Sequence, residues 1–348
     1  MDVGRSVSFK GVFAGALIWM THQQRETSKG LAVRSSGELA ADHTNSRWIL
    51  DRMAGDIVDQ SKAPVTRPGP DPIGQWAELL DLDPEAVPAK LASLEQLNCD
   101  NNRLSELDVP PMPALEKLAC SGNRLTRLSI ESAPVLNTLS CNFNELIELD
   151  LRAVPALSLL FCFRNRLEHL DLSGTPKLKR LFCYENQLTE LDLGYAPHLT
   201  RLHCGGNRLM MLDLGPTGAL RQLSCDNNRL GELILDPVPD LTWLTCTSNR
   251  LTNLDLHPVE RLTHLACGSN RLRYLDLSPV TGLSVLSCES NRLDALDLSP
   301  VPGLRKLHCA GNPLDELDLA SVPHLKELKC DAGVRLINTP ESLAVVRH

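Results

Sequence analysis

Twelve cysteines recur at a fixed interval, and their thiols are the first groups in the sequence that could do chemistry. They are Cys99, Cys120, Cys141, Cys162, Cys183, Cys204, Cys225, Cys246, Cys267, Cys288, Cys309 and Cys330, and each lies 21 residues after the one before. Zinc sites need close pairs such as C-x2-C, which this series lacks. Neighbouring copies would lie near enough for disulfides. We favour a third interpretation, in which each cysteine packs as a small hydrophobic residue.

Aromatic side chains form a second candidate group. The chain contains only six phenylalanines, and four of them lie close together. This group comprises Phe143, Phe161, Phe163, Phe182 and the adjacent Tyr184. Aromatic side chains carry roughly 150–250 Å² of surface each and are frequent anchors of protein interfaces.

Arginines form a third candidate group, because arginine follows a recurring asparagine in eight of eleven copies of a repeat. They are Arg103, Arg124, Arg166, Arg208, Arg229, Arg250, Arg271 and Arg292. A stripe of guanidinium groups could hold phosphates or an acidic partner. Aspartate recurs five positions later in most copies, and we expect that row to balance the stripe. The formal net charge of −8 argues against a nucleic-acid ligand.

Catalytic chemistry finds little support in the remaining polar residues. His203, His264 and His308 are predicted to face outward at strand positions, but each is separated from the next by about two or more copies. That separation exceeds acid–base reach for most pairs. The sequence contains no Gly-rich phosphate loop, no G-x-S-x-G motif and no close set of metal ligands. We therefore predict a protein that is not an enzyme and that uses no metal or other cofactor.

The elements that position these residues follow from the repeat itself. Its unit is L-x-x-L-x-C-x-x-N-x-L-x-x-L-D-L-x-x-x-P-x, and a fixed period of this length indicates a solenoid. The x-L-x-C segment alternates as a strand with one buried face does. About ten residues remain for the return, which is too few for two loops and a helix. The asparagine is predicted to bond the backbone of its own copy and of an adjacent copy.

The stretch LxxLxCxxNxL resembles the leucine-rich repeat, with cysteine where leucine is more usual. The second half, LxxLDL, is similar to the short repeats of bacterial leucine-rich-repeat proteins. The resemblance covers residues 91–337. It implies a repeat solenoid of the α/β type with a parallel β-sheet on the concave face and short extended or turn-like segments on the convex face. We expect small helical caps at both ends.

The predicted partner site lies on the concave face, where the positions equivalent to 96, 98 and 100 point outward. Phe161 and Phe182 share one such position, and Phe163 and Tyr184 share another. We expect an exposed apolar patch of several hundred Å², a size typical of interaction sites. Its predicted residues are Phe143, Leu159, Phe161, Phe163, Phe182, Tyr184, His203 and Trp243. Two alternatives stay open, in which the N-terminal segment covers the patch or the rings merely stabilise the sheet.

Outside the repeats, the sequence predicts several short regions. Residues 1–45 are a flexible N-terminal segment and candidate export leader. Residues 46–72 combine a short helix with a Pro-rich linker, and 73–93 form an N-terminal helical cap. The solenoid spans 94–337 with about twelve repeats, and 338–348 form a C-terminal cap. No apolar run reaches the roughly 18 residues of a membrane-spanning helix, and Gly11–Met20 resembles the start of a signal peptide without a clear cleavage site.

These features predict a non-catalytic recognition module that is a monomer and binds a protein partner, with no small-molecule substrate. Twelve unpaired thiols favour a reducing compartment, which would be the cytoplasm of a bacterium or, for an injected effector, of its host. One alternative is the substrate-recognition part of a ubiquitin-ligase-like effector. Because no cysteine lies outside the repeats, this chain has none for a thioester mechanism. A second alternative is an exported surface protein.

Overall fold

A computed structural model describes residues 83, 85, 87–341 and 343–347. The predicted N-terminal segment 1–45, the linker 46–72 and the predicted helix within 73–82 lie outside the described residues. Within the described part, the twelve repeats and the segment after them form one long parallel sheet of 13 strands.

The long sheet takes one strand from every copy of the repeat. In sheet order its strands are β1 (Gln96–Asn98), β3 (Lys117–Ala119), β5 (Thr138–Ser140), β6 (Leu159–Phe161), β7 (Arg180–Phe182), β8 (Arg201–His203), β9 (Gln222–Ser224), β10 (Trp243–Thr245), β11 (His264–Ala266), β12 (Val285–Ser287), β13 (Lys306–His308), β15 (Glu327–Cys330) and β17 (Ala344–Arg347). Up to β15, paired residues lie 21 positions apart, as in Leu181 with Leu202. The register therefore equals the sequence period.

Each strand alternates between two environments. Its central leucine and the following cysteine are buried, whereas the flanking residues face the concave surface. Leucines of the return segment complete one continuous apolar core that runs from Val87 to Val334. The α/β-type repeat solenoid predicted from the leucine-rich-repeat pattern is confirmed.

The convex side contains little regular structure, as predicted. Two short parallel pairs form there, β2 (Glu106–Asp108) with β4 (Arg127–Ser129) and β14 (Glu316–Asp318) with β16 (Arg335–Ile337). A single 3₁₀ turn covers His257–Val259 within the described residues. The recurring aspartate has a structural role in this return: Asp171 Oδ1, for example, accepts a hydrogen bond from the Ser173 N–H at 2.8 Å.

A ladder of buried asparagines joins consecutive copies. The Asn207 side chain donates to the carbonyls of Cys204 at 2.9 Å and of Cys183, one copy earlier, at 3.0 Å. Its Oδ1 accepts the Leu188 N–H at 3.0 Å. The same three bonds recur at Asn144, Asn165, Asn186, Asn228, Asn249, Asn270, Asn291 and Asn312. The predicted bonding of each asparagine to its own and an adjacent copy is confirmed.

The two ends of the sheet differ in structure. At the start, helix α1 (Val87–Ala92) places Val87 and Leu91 in the core. At the other end, the predicted helical C-terminal cap is wrong, because β17 adds to β15 as a parallel strand. The β-branched Val345 and Val346 favour a strand, and so short a segment gains more from the open backbone edge of β15 than from an isolated helical turn.

The asparagine ladder generates a stability prediction. We expect Asn207→Ala to lower the free energy of unfolding by about 3 kcal/mol, because it leaves the buried Leu188 N–H without an acceptor and removes one donor from each of two carbonyls. Urea unfolding followed by circular dichroism measures this loss. Asn102→Ala is the matched control, since the Asn102 side chain makes a single bond, to the Asp100 carbonyl at 3.1 Å. Equal losses for both variants would contradict the ladder's role.

The cysteines generate a second prediction. All twelve are unpaired and buried, and burial raises the pKa of their thiols, that of Cys141 to about 12. We expect no thiol to react with Ellman's reagent at pH 8 in the native protein, and all twelve to react in urea. Rapid labelling of several thiols without denaturant would show that the packed column is wrong.

Candidate functional site

Two rows of rings run across consecutive strands on the concave face. In the first row, Phe161 stacks on Phe182 with ring centroids 4.8 Å apart, and Phe182 lies 4.8 Å from the His203 ring. In the second row, Phe163 stacks on Tyr184 at 4.3 Å. The predicted sharing of outward positions is confirmed by the register, which pairs Phe161 with Phe182.

The expected exposure of these rings is wrong. Phe161, Phe163 and Phe182 are only 7%, 4% and 4% exposed. The reason is the strand spacing of about 4.8 Å, which matches a stacking distance, so each ring covers the faces of its neighbours. Leu159 and Tyr184 pack against them and are half-buried. The group is therefore a packed platform whose rim is accessible, and its role in binding stays a prediction.

Phe143 forms the exposed edge of this platform. It meets Phe163 edge to face at 5.3 Å and is 37% exposed. Its φ of 55° lies in the left-handed region, as does the φ of the equivalent residue in other copies, whether that residue is Glu185 at 53°, Gly206 at 64° or Ser248 at 56°. A bulky side chain in this conformation costs about 1–2 kcal/mol.

A charged pair borders the same edge. The Arg164 guanidinium lies 5.0 Å from the centre of the Phe143 ring. It also bonds the Glu185 carboxylate, with Nε–Oε2 at 2.5 Å and Nη2–Oε1 at 3.2 Å. The rim of the platform thus combines an aromatic ring with a cation whose charge is already balanced.

The opposite border carries two arginines that sequence reasoning missed. Arg180 and Arg201 are register partners on β7 and β8, beside Phe182 and His203. The available signal was that arginine replaces Leu159 at the same outward position in the next two copies. Burial and the neighbouring Arg201 charge lower the pKa of His203 to about 4, so its imidazole is neutral at pH 7.

Trp243 lies apart from the platform. Its ring stacks on His264 of the next strand at 4.3 Å. Strand β9 separates this pair from His203, and it carries Ser224 at the repeat position of His203. The structure therefore brings seven of the eight predicted site residues together and leaves Trp243 in a separate aromatic pair.

A cluster of polar side chains lies on the concave face of the last copies of the repeat. His308 Nε2 lies 2.9 Å from Glu327 Oε1, and Ser287 Oγ lies 3.5 Å from His308 Nδ1. The second distance is longer than the roughly 2.6–3.2 Å that activates a serine nucleophile. Glu327 also accepts from Lys306 at 3.2 Å. We interpret this group as a bridge between strands.

The arginine stripe is not balanced in the expected way. Within the described residues, no ion pair joins an arginine of the stripe to a recurring aspartate. Arg166 instead pairs with Glu145, which occupies the same repeat position, at 3.0 Å. The aspartates serve the convex turns, where Asp213 accepts the Gly215 N–H at 2.8 Å.

Among the described residues, no group of three or more His, Cys, Asp or Glu side chains is arranged to hold a metal ion. In the same part of the chain, every helix is too short or too polar to cross a bilayer.

Comparison with solved structures identifies the class. A scan of protein-family models and a search of curated proteins found nothing that matches. The functional domain of InlJ from Listeria monocytogenes, described as including a cysteine ladder, is 29% identical with a TM-score of 0.64. YopM from Yersinia pestis, described as a leucine-rich effector protein, is 25% identical with a TM-score of 0.66, over 80% of this chain and 83% of that one. The internalin InlF from Listeria monocytogenes, 18% identical over 82% of this chain and 97% of that one, matches with a TM-score of 0.63.

Parallel strands at a constant register, closed by an asparagine ladder, define the class of leucine-rich-repeat solenoids. This chain has the leucine-rich-repeat fold, with a period of 21 residues and a cysteine in each of the twelve copies of the repeat. The similarity to InlJ covers 74% of this chain and 63% of the InlJ domain.

The platform generates a prediction that separates its packed centre from its edge. We expect Phe182→Ala to lower the free energy of unfolding by about 3 kcal/mol, because it empties a buried position. We expect Phe143→Gly to change it by less than about 1 kcal/mol, since relief of the left-handed strain offsets the lost ring contacts. Urea unfolding tests both. Equal destabilisation by the two variants would show that Phe143 is as structural as Phe182.

Proposed function

We propose that this protein is a non-catalytic recognition module that binds a protein partner on the concave face of its repeats. The observation that carries the proposal is the aromatic platform, whose packed centre holds an accessible rim of Phe143, Leu159 and Tyr184 in place. Rigid aromatic groups beside polar side chains are typical of binding hot spots. Equivalent positions in other copies carry mostly small or polar residues, such as Ser224 and Thr245.

A role as an effector is the finer part of this proposal. It is supported by the similarity to YopM, which is described as a leucine-rich effector protein. We also propose that the chain acts as a monomer in a reducing cytoplasm. The cysteines support that compartment less strongly than their number suggests, because all twelve thiols are buried and thereby shielded from oxidants in any compartment.

The experiment compares the native chain with two variant baits in parallel pull-downs, from bacterial and from host-cell lysates, with quantitative mass spectrometry. The test bait carries Phe143→Gly and Tyr184→Ser, which alter the rim and leave the buried rings intact. The control bait carries Tyr195→Ser and Tyr274→Ser, which remove tyrosines that are 50% and 69% exposed outside the concave strands.

We expect a partner to be retained by the native chain and the control bait and to be depleted at least tenfold on the test bait. Circular dichroism and urea unfolding verify that both baits fold. If every captured protein binds the test bait as well as the native chain, the binding site lies elsewhere and the proposal is wrong.

A further inference from the structure

Two arginines on the concave face lie side by side without a counter-ion. Arg180 and Arg201 occupy equivalent positions on adjacent parallel strands, at a backbone spacing of about 4.8 Å. Arg180 is exposed and Arg201 is half-buried. Within the described residues, neither guanidinium forms a side-chain hydrogen bond or an ion pair.

Carboxylates of the same copy and of the following copies are engaged with other groups. Glu185, in the copy that contains Arg180, is bound by Arg164. Asp240 bonds Arg261 at 2.6 Å and lies 4.0 Å from Arg221. Asp226 accepts hydrogen bonds from Ser224, Thr245 and Thr247 on its own part of the face. Among the described residues, no carboxylate pairs with either guanidinium group.

Their environment makes this arrangement costly. Burial and the adjacent Arg180 charge both lower the pKa of Arg201. The neighbouring His203 is neutral at pH 7, and Lys179, which precedes Arg180, is exposed and adds positive charge. A partly desolvated pair of like charges destabilises the free protein. It becomes favourable when an anion lies between the two groups, and guanidinium binds carboxylates through paired, charge-assisted hydrogen bonds.

The surroundings narrow the chemistry of that anion. Leu159 lies beside Arg180 at the same outward position of the preceding strand, and the packed rings of Phe161 and Phe182 lie next to the pair. A ligand that satisfies both surfaces carries a carboxylate next to an apolar side chain. A short acidic segment of a protein meets this requirement, whereas a hydrophilic anion would leave the platform uncovered.

We propose that Arg180 and Arg201 form an anion-binding pair that receives an aspartate or glutamate of the partner, while an adjacent apolar side chain of the same segment packs on the platform. This inference rests on the proposed function and specifies the partner: an acidic segment that also carries aromatic or aliphatic residues. The arginines act as specificity determinants, because they stabilise only a partner that brings a carboxylate to this place.

The arginine stripe provides the matched control. Arg250 and Arg271 also lie in consecutive copies, are exposed and have no ion pair among the described residues. They lie outside the concave strands and away from the aromatic platform. Water screens such exposed charges well, so their removal is expected to leave recognition by the concave face unchanged.

The test is a selection of random peptides displayed on phage against the full chain. Selected peptides are then labelled, and their affinities are measured by fluorescence anisotropy. We expect enrichment of Asp or Glu within two residues of Phe, Tyr, Trp or Leu. For these peptides, Arg180→Gln with Arg201→Gln should raise Kd at least tenfold, whereas Arg250→Gln with Arg271→Gln should leave it within twofold.

The outcomes separate this inference from the function on which it rests. Peptides that need Tyr184 and Phe143 but bind equally without Arg180 and Arg201 would overturn the inference and leave the recognition module intact. Peptides that are insensitive to all four changes would contradict both. A selection without enriched acidic residues would also overturn the inference.

A stability measurement distinguishes binding from structure. We expect Arg180→Gln with Arg201→Gln to leave the urea midpoint unchanged or to raise it, because the pair of like charges is relieved. A clear fall in the midpoint would assign the arginines a structural role and overturn the proposal.

Discussion

The constraint on which the rest of the structure depends is the bond that each buried asparagine makes across two copies. Asn207 holds the carbonyls of its own copy and of the previous one at about the same distance, near 3.0 Å. A strand displaced by even one residue would lose these bonds and turn its leucines toward solvent. The register is therefore fixed at 21 residues, and residues at the same repeat position lie side by side along the whole sheet.

The effect of this geometry on stability depends on which side chains occupy the same repeat position in consecutive copies. Where consecutive copies carry rings, as in Phe163 and Tyr184, the strand spacing produces a stack that buries apolar surface. Where they carry cations, as in Arg180 and Arg201, the same spacing forces like charges together. The first arrangement stabilises the free protein, and the second is relieved by an anion. The proposed binding face combines the two.

The cysteine column shows a third consequence. Each copy of the repeat places a cysteine after the buried leucine of its strand, and this constant side-chain size lets successive copies pack in the same way. Burial keeps each thiol protonated by raising its pKa, and the residue then acts as a small hydrophobic group. Burial in the core thus suppresses the metal-binding and disulfide chemistry that cysteine side chains can perform.

The period, the leucine pattern and the asparagine chemistry were sufficient to determine the solenoid, its parallel sheet and the scarcity of helix, because each is a local property repeated many times. The sequence also brought Phe161 and Phe182 together, since equal repeat positions must pair. What it left undecided depends on distances between side chains. Only the tertiary structure shows that stacking covers the rings and leaves Phe143 at the edge, that the recurring aspartates bond backbone and not the arginine stripe, and that the final segment extends the sheet as β17. These outcomes depend on which of several nearby groups each side chain or strand contacts, and a sequence pattern does not give the distances that decide this.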